Sequence, residues 1–293
     1  MKLPKRTVAL IIGFFSAFLF IGYSYAKNIS SKPNVILIIL DAARPDHFSC
    51  YGYEKDTTPS IDAIAQGGKV FLNHFAQSTN TYGSLRQLFS SRYFSKEIFE
   101  MDGWCWGVKR TSPMSLMRDF DPEQTMLPAV LSMNGYKTAI FTQHAMHTKQ
   151  TDLVKSFQVY YPIGLDQKAP FSSIVDPVAD WLSNNKKNSF FMYLHLMYPH
   201  SPYPKEFEKN EFLINANGNP FTESQINNTK NKFSSTPNHI PYQEGFTEAD
   251  YRCLRGLYDC NLNQADDIVG KVYAKLKKPF FPAVVLLTAL KWP

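Results

Sequence analysis

Apolar runs separated by polar and turn-forming residues recur along the chain and predict an alternation of strands and helices. Continuous apolar runs occur at Asn34–Leu40, Lys137–Thr142, Ser189–Leu196 and Pro282–Thr288, and residues 70–75 have a similar composition. Runs of this length without polar alternation are typical of buried strands in a parallel sheet. Helical spacing of apolar residues occurs at Ile61–Gln66, Gln124–Asn134, Ile174–Asn184 and Asp250–Leu276. This order predicts an α/β fold with a mainly parallel central sheet, in which functional sites lie beyond the carboxyl ends of the strands.

Two segments depart from this alternation. Residues 1–26 combine a basic start with a charge-free apolar run at 7–23 and small residues at 24–26. That pattern predicts a signal peptide, and the run is also long enough for an uncleaved membrane anchor. Both interpretations predict export, because the basic flank stays in the cytoplasm. Residues 205–245 are rich in Asn, Ser, Thr and Pro without a sustained period, which predicts a polar surface insert inside one domain.

Composition narrows the class of protein. The chain has 293 residues, of which 44% are hydrophobic, so residues 33–293 are sufficient for one domain with a proper core. The net charge of +6 comes from scattered Lys and Arg, whereas nucleic-acid binding calls for a dense basic stripe, so we expect no nucleic-acid partner. Four cysteines lie beyond residue 26 without a CxxC spacing. That spacing argues against a zinc ribbon and leaves both disulfides and buried free thiols open.

Two motifs carry a resemblance to a known family. Residues 33–47 read PNVILIILDAARPDH and are followed by YGY at 51–53 and TPSID at 58–62. Residues 193–203 read YLHLMYPHSPY. With weaker matches at 127–138 and around Asp259 and Asp266, these segments resemble the amino-terminal catalytic domain of sulfatases. The resemblance implies an alkaline-phosphatase-like three-layer sandwich that hydrolyses a sulfuric ester with a divalent cation, Ca²⁺ being the expected ion.

The resemblance also implies a set of site residues. Asp41 follows the first strand and is the expected metal ligand, although it could instead cap the following turn. Thr81 falls where the family carries its nucleophile and is the second expected ligand, although it could be an ordinary helix N-cap. His200 is the candidate for catalytic contact with the ester, and Arg86 and His144 are candidates for substrate binding. We expect Arg44 and Asp46 to pair with each other, and His195 to be a satisfied core histidine.

Several departures from the family pattern change the expected chemistry. Sulfatases convert a Cys or Ser to formylglycine, and a threonine lacks the primary carbon for that aldehyde, so none is expected at Thr81. A threonine nucleophile is similar to that of phosphoethanolamine and phosphoglycerol transferases, for which Mn²⁺ or Zn²⁺ is expected and the substrate is a phosphate ester.

Ala42 stands where most members carry a second carboxylate. Leu290 and Lys291 stand where the family has the aspartate and histidine of Ser-Asp-His-Gly, and the chain ends at Pro293. The resemblance therefore predicts a truncated domain with an incomplete metal site. An inactive exported fragment with an anion-binding crevice remains a third interpretation.

Overall fold

The central element is a five-stranded parallel sheet. The computed structural model describes residues 32–78, 81–91, 125–144, 147, 149, 151–163, 171–203, 211–235, 245–276 and 283–290. The strands are β1 (Asn34–Asp41), β2 (Lys137–Thr142), β3 (Val159–Pro162), β4 (Phe190–Leu196) and β5 (Ala283–Leu290). Their order across the sheet is β3-β2-β4-β1-β5, and every pairing is parallel. All carboxyl ends therefore lie at one edge of the sheet.

Helices cover both faces of this sheet. They are α1 (Pro59–Gln66), α2 (Thr81–Ser90), α3 (Leu127–Met133), α4 (Asp152–Lys155), α5 (Val175–Asn184), α6 (Glu223–Ser235) and α7 (Glu248–Leu276). On one face, Ile36, Ile38 and Leu40 of β1 pack in a core with residues of α5 and α7. On the other, Leu37 and Ile39 pack with Leu85 and Phe89 of α2. Because alternate side chains of β1 are buried on opposite faces, the strand is apolar throughout, and the fold is the expected three-layer α/β sandwich.

Most predicted elements are confirmed within a few residues, and one is wrong. Residues 70–75 form no strand; Val70, Phe71, Leu72 and Phe75 are exposed in an irregular segment. These residues lie outside the sheet although β5, at the edge of the described sheet, is paired only with β1, so apolar composition alone does not decide whether a segment joins the sheet. The predicted insert also holds more structure than expected, since its described part contains α6, while α4 and β3 were not predicted.

Other expectations have mixed outcomes. The predicted signal peptide or anchor at residues 1–26 lies outside the described residues, and no helix within the described ranges has the length and hydropathy needed to cross a bilayer. Cys50, Cys253 and Cys260 carry free thiols, while Cys105 lies outside the described residues. Arg44 and Asp46 pair as predicted, with guanidinium–carboxylate distances of 3.0 and 2.6 Å.

Candidate functional site

Asp41 and Thr81 meet at the carboxyl edge of the sheet. Asp41 is the last residue of β1 and is 2% exposed. Thr81 is the first residue of α2, and its hydroxyl donates to Asp41, with Oγ1 3.1 Å from both carboxylate oxygens. The two predicted site residues are therefore in direct contact. A hydroxyl at a helix start lies close to backbone N–H groups and the positive end of the helix dipole, which favours an anionic ligand.

Serine hydroxyls near Thr81 are also candidates for the nucleophile. The Ser84 hydroxyl donates to the backbone carbonyl of Ser78 at 2.8 Å. That bond occupies the only proton of the Ser84 hydroxyl. The contact with the buried carboxylate therefore favours Thr81 over Ser84.

Two histidines lie against the Asp41 carboxylate, and a third packs on their rings. His195 of β4 is fully buried, and its Nε2 lies 3.1 Å from Asp41 Oδ2. His144, just beyond β2, has its Nε2 3.7 Å from the same oxygen. The ring centroid of His147 lies 5.0 Å from that of His195 and 5.1 Å from that of His144. The structure thus brings predicted His144 to the site and adds His195 and His147.

Burial governs the ionisation of this cluster. Burial acts to raise the pKa of Asp41, but the hydrogen bond from His195, together with the other histidines near the carboxylate, outweighs burial, so the pKa lies below its usual value. Burial lowers the pKa of His144 to about 4. Burial likewise places the pKa of His147 well below its usual value. At neutral pH the site therefore holds an ionised Asp41 beside the neutral rings of His144 and His147.

The turn after Asp41 is fixed by Tyr258 of α7. Ala42 adopts φ 57°, a left-handed conformation that costs a residue with a Cβ about 1–2 kcal/mol. The Tyr258 hydroxyl donates to the Ala42 carbonyl at 3.1 Å and accepts from the Arg44 backbone N–H at 2.7 Å. These two bonds hold the turn in place and with it the direction in which Asp41 leaves the sheet.

The remaining predicted residues lie in two different settings. His200 is exposed beyond β4, and its charge contributes to lowering the pKa values of both Asp41 and His144. Arg86 is buried within α2. The catalytic role of His200 and the substrate-binding roles of Arg86 and His144 remain predictions.

The residues at the Asp41–Thr81 centre provide part of a site for a divalent cation. Asp41 and Thr81 present oxygens of the type that hard cations bind. Ala42 offers no second carboxylate, and Leu290 stands opposite Asp41 in the β1–β5 register. Across the described ranges, no group of three or more His, Cys, Asp or Glu side chains is arranged to hold a metal ion. These residues therefore do not make a complete cation site.

Sequence reasoning placed His195 in the core and gave Tyr193 and His147 no role. The alternation along β4 could have identified His195, because Tyr193 and His195 share the sheet face on which α2 packs. Placing His195 beside Asp41 also requires the β1–β4 register, in which His195 stands opposite Ile39. That register links residues far apart in sequence, and local patterns do not reveal it.

Comparisons with known proteins agree with this fold and motif set. The family model described as Sulfatase matches residues 33–289. An ulvan-active sulfatase from Formosa agariphila is 28% identical over 179 residues, which cover 61% of this chain and 32% of that relative. The chain thus spans about a third of the length of that relative.

Solved structures show the same fold at low identity. A putative sulfatase from Bacteroides thetaiotaomicron matches with a TM-score of 0.60 and 17% identity, covering 89% of this chain and 58% of that one. The C-terminal periplasmic domain of a phosphoethanolamine transferase from Campylobacter jejuni matches with a TM-score of 0.56 and 16% identity, covering 89% and 69%. These likenesses concern the architecture of the chain.

Proposed function

The chain belongs to the sulfatase family, and from this premise we propose that it hydrolyses a sulfuric ester at the Asp41–Thr81 centre. The observation that carries the proposal is the Thr81 hydroxyl, held 3.1 Å from both oxygens of a buried carboxylate at the start of a helix. Sulfatases generally use a divalent metal ion. We expect Ca²⁺ to support activity on a sulfate ester, although the described residues do not complete a site for it.

In this proposal the residues of the chain divide the chemistry between them. Thr81 Oγ1 attacks sulfur while Asp41 takes the hydroxyl proton, and the bond from sulfur to the ester oxygen breaks. His200 donates a proton to the departing alcohol oxygen. Water then attacks sulfur and gives a proton to His200, while Asp41 returns its proton to Thr81 Oγ1 as the bond from sulfur to that oxygen breaks, which releases sulfate and restores the Thr81 hydroxyl. Arg86 and His144 are assigned to binding the substrate, His144 through a neutral ring.

Transfer of a phospho-group is a second candidate, favoured by the identity of residue 81. A threonine hydroxyl cannot become formylglycine, so the attacking group at this position is an alcohol. An alcohol nucleophile suits a phosphate ester, and phosphoethanolamine transferases are among the structural neighbours. For this reaction we expect Mn²⁺ or Zn²⁺ to support activity.

We also propose that the protein acts outside the cytoplasm. The basic start and apolar run of residues 1–26 support export, either as a cleaved signal or as a membrane anchor. The structural neighbours include C-terminal periplasmic domains of other proteins, one of them a phosphoethanolamine transferase. Fractionation of cells that express the full chain tests this point: the protein is expected in the periplasm or at the membrane, and recovery in the cytoplasm would contradict it.

An assay with paired substrates tests the proposed function. The purified protein is incubated with an aryl sulfate and with the matching aryl phosphate, each with and without Ca²⁺, Mn²⁺ or Zn²⁺. Faster turnover of the sulfate supports the sulfatase proposal, and faster turnover of the phosphate supports phospho-group chemistry. Absence of turnover with both esters would favour the non-catalytic interpretation.

Variants at the two ends of α2 give the matched comparison. Thr81→Ala is expected to abolish turnover because it removes the attacking oxygen. Ser90→Ala removes a hydroxyl from the other end of the same helix and is expected to leave turnover unchanged. Equal activity in both variants would remove Thr81 from the mechanism.

A further inference from the structure

Tyr193, His195, Asp41 and Thr81 form a series of hydrogen bonds, here called the relay. The Tyr193 hydroxyl lies 2.6 Å from His195 Nδ1, and His195 Nε2 lies 3.1 Å from Asp41 Oδ2. The same carboxylate accepts the Thr81 hydroxyl. Four side chains from two strands and one helix are therefore connected in sequence. Tyr193 and His195 are both fully buried, so this part of the relay is inaccessible to solvent.

The direction of the hydrogen bonds in this relay depends on the His195 tautomer, because a phenol oxygen can donate or accept. In the arrangement in which the Tyr193 phenol donates, Nδ1 of His195 is the acceptor. A neutral imidazole with an accepting Nδ1 carries its proton on Nε2, which is the nitrogen facing Asp41. The order is then Tyr193 O–H to Nδ1, Nε2–H to Asp41, with the Thr81 hydroxyl donating to the other side of the same carboxylate.

We propose that His195, held in one tautomer by Tyr193, is a positioning residue that orients the Asp41 carboxylate toward the Thr81 hydroxyl. The Asp41 carboxylate can rotate about its own axis unless its oxygens are held by donors from fixed directions. His195 lies on the central strand β4 and supplies such a donor. This proposal rests on the proposed function for its catalytic consequence, whereas the tautomer can be measured without activity.

Neighbouring residues provide matched controls. Tyr160 is a partly buried tyrosine whose hydroxyl donates at 2.5 Å to the backbone carbonyl of His147, and this bond is not part of the relay. Tyr160→Phe therefore removes the same chemical group as Tyr193→Phe without touching the relay. His195→Gln keeps an N–H donor near the carboxylate, whereas His195→Phe keeps the ring shape and removes the donor.

The test combines spectroscopy with kinetics on the full chain. Nitrogen-15 spectra of the histidine rings are expected to show the Nε2–H tautomer for His195 in the wild type and its loss in Tyr193→Phe. With a substrate that turns over, kcat is expected to fall about 10- to 100-fold in His195→Phe, as for other residues that orient an active-site ligand. KM is expected to change less than kcat, because binding of the ester does not depend on the relay. His195→Gln is expected to recover part of the lost rate, because it keeps an N–H donor near the carboxylate.

Each result decides the proposal. A wild-type ring with its proton on Nδ1, or a tautomer that persists in Tyr193→Phe, would overturn it. Equal kcat values in His195→Phe and Tyr160→Phe would overturn the positioning role. If the wild type turns over no ester, the proposed function fails, while the nitrogen spectra still decide whether the relay exists.

Discussion

Replacing Asp41 by asparagine tests the contact on which the proposed chemistry depends. The substitution keeps the size of the side chain and removes its charge. An amide has one acceptor oxygen, and His195 Nε2–H lies 3.1 Å from Asp41 Oδ2. If the amide oxygen stays toward His195, the amide N–H₂ faces Thr81 Oγ1. The amide oxygen stays within reach of the Thr81 hydroxyl, because Thr81 Oγ1 lies 3.1 Å from both carboxylate oxygens. The hydrogen bond nevertheless loses its charged acceptor, and the hydroxyl loses the base that takes its proton.

The structure sets the size of the effect. Thr81 Oγ1 lies 3.1 Å from both oxygens, but a hydroxyl carries one proton, so the two contacts count as one shared bond. A hydrogen bond to a charged group contributes about 1.5–3 kcal/mol. Because about 1.4 kcal/mol corresponds to a tenfold change in rate, loss of this bond in the transition state lowers kcat about 10- to 150-fold.

Steady-state turnover of an aryl ester by wild type and Asp41→Asn measures this effect, with circular dichroism to confirm folding. Asp46→Asn is the matched control, because Asp46 lies in the following turn with a side chain 58% exposed and paired with Arg44. Its kcat is expected to stay within about twofold of wild type, since exposed ion pairs contribute little. A folded Asp41→Asn protein with wild-type kcat would show that Asp41 does not act as the base for Thr81.

Three further predictions concern the scaffold and are measured by urea unfolding. Asp266 of α7 caps α1, with carboxylate oxygens 2.9 and 2.7 Å from the backbone nitrogens of Ser60 and Ile61. Asp266→Ala leaves both N–H groups without this partner and is expected to cost about 2–4 kcal/mol; an unchanged midpoint would refute the cap. Burial acts to raise the pKa of Asp250, but hydrogen bonds from Lys232 and Thr247 outweigh it and hold the pKa below its usual value. The stabilisation is therefore present above about pH 4 and lost as the pH falls through the folded value. Asp250→Asn is expected to be less stable than wild type at pH 7 by a margin that narrows on acidification, and a constant margin would contradict this. A Cβ at Gly256 would lie 2.5 Å from the backbone oxygen of Phe212. Gly256→Ala is thus expected to lose about 1–3 kcal/mol although helix propensity alone favours alanine, and a stabilised variant would show that the contact relaxes.

Strands β1, β2 and β4 were predictable because they are buried on both faces. Almost every residue of these six- to eight-residue strands is buried, and runs with so few charged residues are typical of inner parallel strands. The segment at 70–75 has a similar composition but forms no strand, although the described edge strands β3 and β5 are each paired on one side only. Apolar composition alone therefore does not decide whether a segment pairs with the sheet.

Helix α6 was missed because its apolar residues are sparse. Ile226, Thr229 and Phe233 fall at helical spacing, and they contact the cluster around Phe212, Leu213 and Cys253 or the adjacent Asp250. The polar residues between them dominate the local composition. The short spacing signal was present but weaker than the turn-like composition of the whole insert.

Some residues of the candidate site were also predictable from local sequence, and others were not. Asp41 and Thr81 were predictable because one ends a buried strand and the other falls at a motif position. His195, Tyr193 and His147 depend on sheet register and on side-chain packing between distant segments. The buried network of Asp259, which accepts from His47 Nδ1 at 2.6 Å and Lys55 Nζ at 2.8 Å, also joins segments some 200 residues apart. Such contacts follow from the fold and cannot be inferred from local patterns.

The most direct test of the Asp41–Thr81 centre is the location of a covalent intermediate. The wild-type protein is quenched during turnover of an aryl ester, and its peptides are analysed by mass spectrometry. We expect one sulfuryl or phosphoryl group on Thr81, with the group absent from Thr81→Ala. A group attached to Ser78 or Ser84, or full turnover by Thr81→Ala, would contradict it.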